Sequence, residues 1–521
     1  MAQISVSDLT FCYEGSYDNI FENVSFTLDT DWKLGFIGRN GKGKTTFLRL
    51  LLGYYEYQGS ISSSACFDYF PYEISKDSMA CNTIDVIEAI HPDYELWMVC
   101  KEMDQLQLSG EVLYRPFHTL SHGERTKVML ALLFSRENYF LLIDEPTNHL
   151  DMATRELVRD YLNTKKGFIL ISHDRWLLDQ CIDHILVLNR STITVGKGNF
   201  STWWENKERQ DNFEKRENEK LKQEIKKLQV SARASAAWAD KVERSKIGFN
   251  PVKEHDRFLD TRAYLGEKSK RMQQRRKNLE RRQQKSIEEK SELLKNLEET
   301  KQLKLQPLQH YKETYVRLKD YSLSYGEIQV VKGLNLEMKR GERVLLQGSN
   351  GCGKSSIIKA VLSAPGVEVL NQTPTFQAEM ATEEATRNEE GLKEVASGLI
   401  ISYVNQDSSF LKGSLDQYIE DLGLSNSMFK TILRQLDFER VQFEKSMEEY
   451  SEGQKKKVLL AGSLLQPAHL YIWDEPLNYI DVFSRMQVEQ LILDYCPTIL
   501  LVEHDRLFCE KIATSVQVID K

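Results

Sequence analysis

The chain has 521 residues, with 69 Lys+Arg against 77 Asp+Glu for a formal net charge of −8, and 41% of it is hydrophobic. That length suits about three folded units, and so much apolar content excludes a wholly disordered chain. No apolar run approaches the ~18 residues needed to cross a bilayer. The start, Met-Ala-Gln-Ile-Ser-Val, lacks the basic stretch and apolar core of a signal peptide. The eight cysteines form no Cys-x-x-Cys pair, against a zinc ribbon, an iron–sulfur cluster or a disulfide framework. The expectation is a soluble, cytoplasmic protein of a reducing compartment.

In chain order, a strand-like run from Leu34 to Ile37 feeds Gly38-Arg-Asn40-Gly41-Lys-Gly43-Lys44-Thr45-Thr46, and a helix-like run follows. The same arrangement returns 310 residues later: Val344 to Leu346, then Gly348-Ser-Asn350-Gly351-Cys-Gly353-Lys354-Ser355-Ser356. G-x-x-x-x-G-K-[ST] between strand and helix is a phosphate cradle, whose glycines let backbone N–H groups approach the phosphates. Lys44 and Lys354 are placed for the β- and γ-phosphates of ATP, and Thr45 and Ser355 for Mg²⁺. Downstream, Leu142-Ile-Asp144-Glu145-Pro recurs as Tyr471-Ile-Trp-Asp474-Glu475-Pro, and Ser172-His173-Asp174 as Glu503-His504-Asp505. Asp144 and Asp474 end apolar strands, where an acid can hold the metal's water shell. Glu145 and Glu475 come next, placed to polarise an attacking water. Two homologous modules, 1–201 and 316–521, are expected.

Between them, 202–315 is dense in Glu, Lys, Arg and Gln, with apolar residues at helical intervals such as Leu221, Ile225 and Leu228. This predicts two long antiparallel helices reversing near 245–262, an arm of roughly 60 Å at 1.5 Å per residue. From Ser231 to Lys285 there are 16 Lys+Arg and 7 Asp+Glu, a local +9, so the rest of the chain carries −17. A basic middle in an acidic body suits contact with a polyanion; a solvated helix face is the plainer reading.

Leu120-Ser121-His-Gly123-Glu and Tyr450-Ser451-Glu-Gly453-Gln lie 24 and 23 residues before the acidic strand ends. They resemble the signature motif of ATP-binding cassette ATPases, with His122 and Glu452 replacing its middle glycine. That resemblance implies adenine stacking on Tyr13 and Tyr325, which are equally suited to core packing. It makes Gln406 a sensor of Mg²⁺ and water, and its counterpart in Tyr69-Phe-Pro-Tyr72 is a departure. His173 and His504 match the switch histidine, Asp151 and Asp481 the D-loop. The resemblance further implies sandwiched nucleotides: one site from Lys44, Glu145 and Ser451, the other from Lys354, Glu475 and Ser121.

Two modules, a charged helical linker and no membrane segment resemble the ABC-F family of translation factors over essentially the whole chain. The implied fold is α/β: two tandem P-loop cassette domains joined by a long antiparallel helical hairpin. Housekeeping members often insert an arm between Q-loop and signature, but only 48 residues separate 72 from 120, against 44 in the second module. Glu-Pro-Leu-Asn-Tyr-Ile-Asp and the 17 residues after His504, too few for a C-terminal extension, resemble the Lsa- or CplR-type resistance subgroup. The implied function is ribosome protection. A monomer would bind the E site of the 70S ribosome, against 23S rRNA and P-site tRNA. Its linker tip would lie near the peptidyl-transferase centre and promote release of lincosamides, pleuromutilins and streptogramin A. Neither membrane nor DNA is an expected partner. A housekeeping ABC-F factor without a drug role is the alternative, and a transporter ATPase a third reading.

Lys268 to Lys285 holds nine basic residues and one acid, with Arg271, Arg275, Arg276, Arg281 and Arg282 among them, which suits RNA phosphates. Near the reversal, Phe249, Phe258 and Tyr264 alternate with Lys246, Lys253, Arg257 and Arg262. These aromatics suit either stacking on unpaired bases or packing of the hairpin's own ends. Phe258, beside Arg257, is the expected apex. An acidic stretch around 366–398, including Glu379, Glu389 and Glu390, reads as a surface loop.

Overall fold

The structure is a computed structural model that describes residues 3–14, 19–136, 138–148, 150–189, 191–247, 304–326, 328–371 and 387–519, and a few helical positions between 274 and 285. The chain divides into two units: Met1–Trp203 with Lys301–Lys521, and Trp204–Thr300.

In the first module a six-stranded sheet runs in the order Cys66–Phe70, Tyr139–Asp144, Phe168–Ile171, Lys33–Gly38, His184–Asn189, Thr192–Lys197. Only the last pairing is antiparallel. Its central strands are unbroken apolar runs because helices cover both faces: all four residues of Phe-Ile-Leu-Ile are buried. The second module repeats the plan with six parallel strands, Glu368–Leu370, Ile400–Val404, Leu470–Asp474, Ile499–Val502, Arg343–Gln347 and Ser515–Val518. Each module also carries a three-stranded antiparallel sheet: Phe21–Asp29, Gln3–Phe11 and Gln58–Ser63 in one, Ile328–Lys339, Thr314–Tyr325 and Arg387–Val395 in the other.

The third strand of that second small sheet corrects one expectation. Glu389 and Glu390 lie on Arg387–Val395, paired in register with Leu323 and Ser322, not on a loop. Their charge is absorbed locally, since Glu389 takes both Arg387 and Lys393 at 2.6 Å. Alternating partners across a ladder stabilise an edge strand that composition alone marks as loop. Residues 372–386, with Glu379, fall outside the described residues.

The stretch before Thr314 packs on the second module. Leu305 is buried in its core, Leu308 N donates to Ala468 O at 2.8 Å, and the His310 and His469 rings lie 5.2 Å apart. The sequence boundary at 315/316 falls inside this packed stretch.

In the other unit, the helix Phe200–Ile247 is continuous over 48 residues, a rise of roughly 70 Å. Same-face pairs such as Glu205–Arg209 and Gln210–Glu214 line its surface. Lys246 lies on this helix, with its side chain outside the described set; Arg281 and Arg282 are helical and exposed. The expected reversal beyond Ile247, with Phe249, Arg257, Phe258, Arg271, Arg275 and Arg276, lies outside the described residues.

Candidate functional site

Topology gathers the chemistry at one sheet edge. Three neighbouring strands of the first module end at Gly38, Asp144 and Ile171, so the glycine loop, the Asp144-Glu145 pair and His173 leave the sheet side by side. Carboxyl ends of parallel strands are where such folds bind ligands. Gly43 and Gly353 begin the following helices at φ 107° and 97°. A Cβ at Gly43 would stand 2.5 Å from Ile20 and one at Gly353 2.7 Å from Val330, so only glycine lets the loop close.

Lys44 and Lys354 are buried and bond their own loops, each reaching the first glycine's carbonyl at 2.7 Å. Thr45 Oγ1 donates to Asp144 Oδ2 at 2.7 Å and Ser355 Oγ to Asp474 Oδ2 at 2.9 Å. Burial and the adjacent Glu475 carboxylate raise Asp474 to about 6. Crowded carboxylates beside hydroxyl oxygens form a donor set that fits a hard divalent cation. Thr46 and Ser356 follow in the helices. The Tyr13 hydroxyl lies 2.7 Å from Thr46 Oγ1 while its ring stays 41% exposed; Tyr325 is half-buried against the small sheet's core.

The two glutamates share a backbone that only surrounding structure can hold. Glu145 has φ 50° and Glu475 φ 48°, in the left-handed region, and each is pinned by its N–H to the neighbouring strand, at Ile171 O (2.9 Å) and Val502 O (3.0 Å). His173 Nε2 stands 3.3 Å from Glu145 and His504 Nε2 3.4 Å from Glu475.

Their surroundings differ. Glu475 accepts from Gln406 Nε2 at 2.8 Å and Asn478 Nδ2 at 2.7 Å. Burial works to raise its pKa, but His504, Lys456 and Gln406 outweigh it and bring the group to about 2. Burial and then Asp144 push Glu145 up to about 8. Tyr72, which matches Gln406 in the strand register, turns away and donates to Asp68 Oδ2 at 3.0 Å, where His91 and Arg136 also converge. The Tyr69 hydroxyl donates to Asp144 at 3.2 Å instead.

Ser121 and Ser451 cap the helices His122–Phe134 and Glu452–Leu465, each accepting from the third residue's N–H in a full capping box. Gly123 lies beside Thr154 at ordinary contact distance, whereas a Cβ on Gly453 would stand 2.5 Å from Tyr479 O. Glu452, at a position where the motif has glycine, accepts from Ser408 Oγ at 2.6 Å.

The modules face each other across these sites. Asn40 Nδ2 of the first glycine loop donates to Tyr479 O at 2.8 Å, the same carbonyl that Gly453 approaches. Arg39 pairs with Asp437 at 2.7 Å and Lys42 with Glu439 at 2.6 Å. On the opposite side the Asn350 N–H stabilises ionised Asp151. Sequence reasoning missed several participants: the buried pairs Arg155–Asp174 and Arg485–Asp505, Lys457 on Asp481 at 3.0 Å, and Lys456. Aligning the two modules residue by residue would have exposed Arg155 with Arg485 and Lys127 with Lys457, since each pair repeats at one spacing.

Two phosphate-loop sheets that complete each other's sites define a tandem cassette ATPase. The ABC transporter family matches residues 21–148 and 331–478, and the chain belongs to it as a two-cassette ABC-F ATPase that binds ATP. The ribosome protection protein VmlR of Bacillus subtilis (strain 168) is 27% identical over 515 residues, 97% of this chain and 85% of that protein. The energy-dependent translational throttle protein EttA of Haemophilus influenzae is 23% identical over 542 residues, 96% of this chain and 88% of that one. Among solved structures, the archaeal ribosome recycling factor aABCE1, in complex with the ribosomal stalk protein aP1, shares the fold. Its TM-score is 0.60 at 19% identity, with 99% and 87% of the chains covered. Among the described residues no helix is long and apolar enough to cross a membrane.

Proposed function

We propose that this ATPase is a cytoplasmic ribosome-protection factor. In this reading it binds the E site of the 70S ribosome as a monomer. Its basic linker contacts 23S rRNA and P-site tRNA, and the linker tip near the peptidyl-transferase centre promotes release of lincosamides, pleuromutilins and streptogramin A. The relative named as a ribosome protection protein, similar across 97% of the chain, supports the reading.

One structural observation carries it over the housekeeping alternative. The interval from 72 to 120 is filled by short elements, helices Thr83–Ile90 and Leu96–Gln105 and two 3₁₀ turns, whose Val86, Ile87, Val99 and Met103 are buried in the module. That leaves no projecting arm there. Similarity to a translational throttle protein keeps the housekeeping reading as the alternative.

Within each site, Lys44 or Lys354 neutralises phosphate oxygens. Asp144 with Thr45, or Asp474 with Ser355 and Gln406, holds Mg²⁺, which supplies charge neutralisation at the phosphates. Glu145 or Glu475 orients and deprotonates the attacking water, and His173 or His504 holds that carboxylate from the next strand. Residues Ser451 with Gly453, and Ser121 with Gly123, close each site from the opposite module. Closure on ATP favours the bound state, and hydrolysis drives the factor's own release.

The test uses Glu145→Gln with Glu475→Gln. The doubly substituted chain should cosediment with 70S particles in ATP, and the wild-type chain should raise resistance to peptidyl-transferase-centre drugs in a sensitive host. Trapping without resistance would favour the housekeeping factor; recovery with membranes would favour a transporter subunit.

A further inference from the structure

The second module holds a buried lysine for which the nucleotide chemistry above has no role. Lys456 lies one turn into the signature helix Glu452–Leu465 and is 3% exposed. Its ammonium donates to Asn405 O at 3.1 Å and to Glu475 O at 3.2 Å. Asn405 immediately precedes Gln406, and Glu475 is the residue Gln406 grips. The carboxylates of Asp474, Glu475, Glu503 and Glu452 surround the same ammonium. An unpaired buried ammonium is costly, so these carbonyls and carboxylates fix it firmly.

Counting from the two serine caps, the matching residue of the first module is Thr126. It carries no charge and is too short to span such a gap. There the glutamine is absent as well, Tyr72 being bound to Asp68. The bridge and the glutamine therefore occur together in one module and are missing together in the other.

We propose that Lys456 is a positioning residue for hydrolysis at the Lys354 site. It ties the Gln406 loop and the left-handed backbone of Glu475 to one buried cation, so that loop and base keep a fixed separation through each turnover. Both carbonyls are main-chain atoms, so the tie constrains where the two side chains start. This rests on Glu475 being the general base.

The test follows steady-state ATP hydrolysis by the full chain. Glu475→Gln first defines the share of turnover that depends on Glu475. Lys456→Met should remove at least nine-tenths of that share while the KM for ATP stays within twofold. A purely structural role would instead degrade KM and kcat together. Combined with Gln406→Ala, the loss should be no greater than that of the more damaging single variant, because both act through one loop. Thr126→Val should leave turnover unchanged. Should Lys456→Met not fold, judged by its thermal melt, Lys456→Thr, the residue at the matching position, serves in its place. Unchanged kcat, a loss confined to KM, or multiplicative losses with Gln406→Ala would each overturn the inference. Full turnover in Glu475→Gln would overturn the base assignment itself, a separate outcome.

Discussion

Gln406 and Glu475 are joined by a 2.8 Å hydrogen bond, whereas Tyr72, in the equivalent position of the first module, bonds Asp68 and leaves Glu145 without that support. The two nucleotide sites are built from one repeated motif set and finished differently. Glu475, fixed by Gln406 and Asn478, has the more completely built water-activating site.

Unequal turnover follows. Glu475→Gln should lower steady-state ATP hydrolysis at least fivefold more than Glu145→Gln, a difference of about 1 kcal/mol in activation free energy. Phosphate-release assays on the two single variants measure it, and equal losses would refute the unequal roles.

A second expectation concerns acid stability. Burial acts to raise the Asp68 pKa, but hydrogen bonds from His91, Arg136 and the Tyr69 N–H outweigh it and leave the group below its ordinary value. A carboxylate depressed in the fold stabilises fully above its unfolded pKa of ~3.9, and that stability disappears as pH falls through the folded value. Asp68→Asn should cost about 1–3 kcal/mol at pH 7. The deficit should shrink as pH drops below about 4. Chemical denaturation at pH 7 and pH 3.5 tests this; a deficit independent of pH would contradict it.

The facing modules make a third. Arg175 of the first module and Glu489 of the second form a pair at 2.5 Å with side chains 4% and 9% exposed, and Lys511 also reaches Glu489 at 2.8 Å. Removing one partner of a buried pair typically costs about 3–5 kcal/mol, while removing both costs much less. Arg175→Met should therefore lower the melting temperature more than the Arg175→Met, Glu489→Met double variant. The double-mutant cycle reads the coupling directly.

Gly353→Ala supplies a fourth. At φ 97°, with a Cβ only 2.7 Å from Val330, alanine must distort the loop that cradles phosphate. ATP affinity measured by equilibrium binding should fall at least tenfold with little change in melting temperature.

Much of this was legible in one dimension. The glycine loops, the Asp-Glu ends of apolar strands, the serine caps and the histidines are local patterns, because a phosphate loop, a strand end and a helix cap each need particular residues within a few positions. The internal repeat doubled every such signal. Local pattern misread the acidic residues Glu389 and Glu390, whose strand character depends on partners in Thr314–Tyr325 over 60 residues away. It also could not say that Tyr72 would face Asp68, or that Asn40 would meet Tyr479 O across the modules. The sequence by itself determined two nucleotide-binding cassettes and their chemical groups. Only the tertiary structure decided that the sites are unequal, because burial, countercharge and hydrogen-bond supply at Glu145 and Glu475 come from residues distant in the chain.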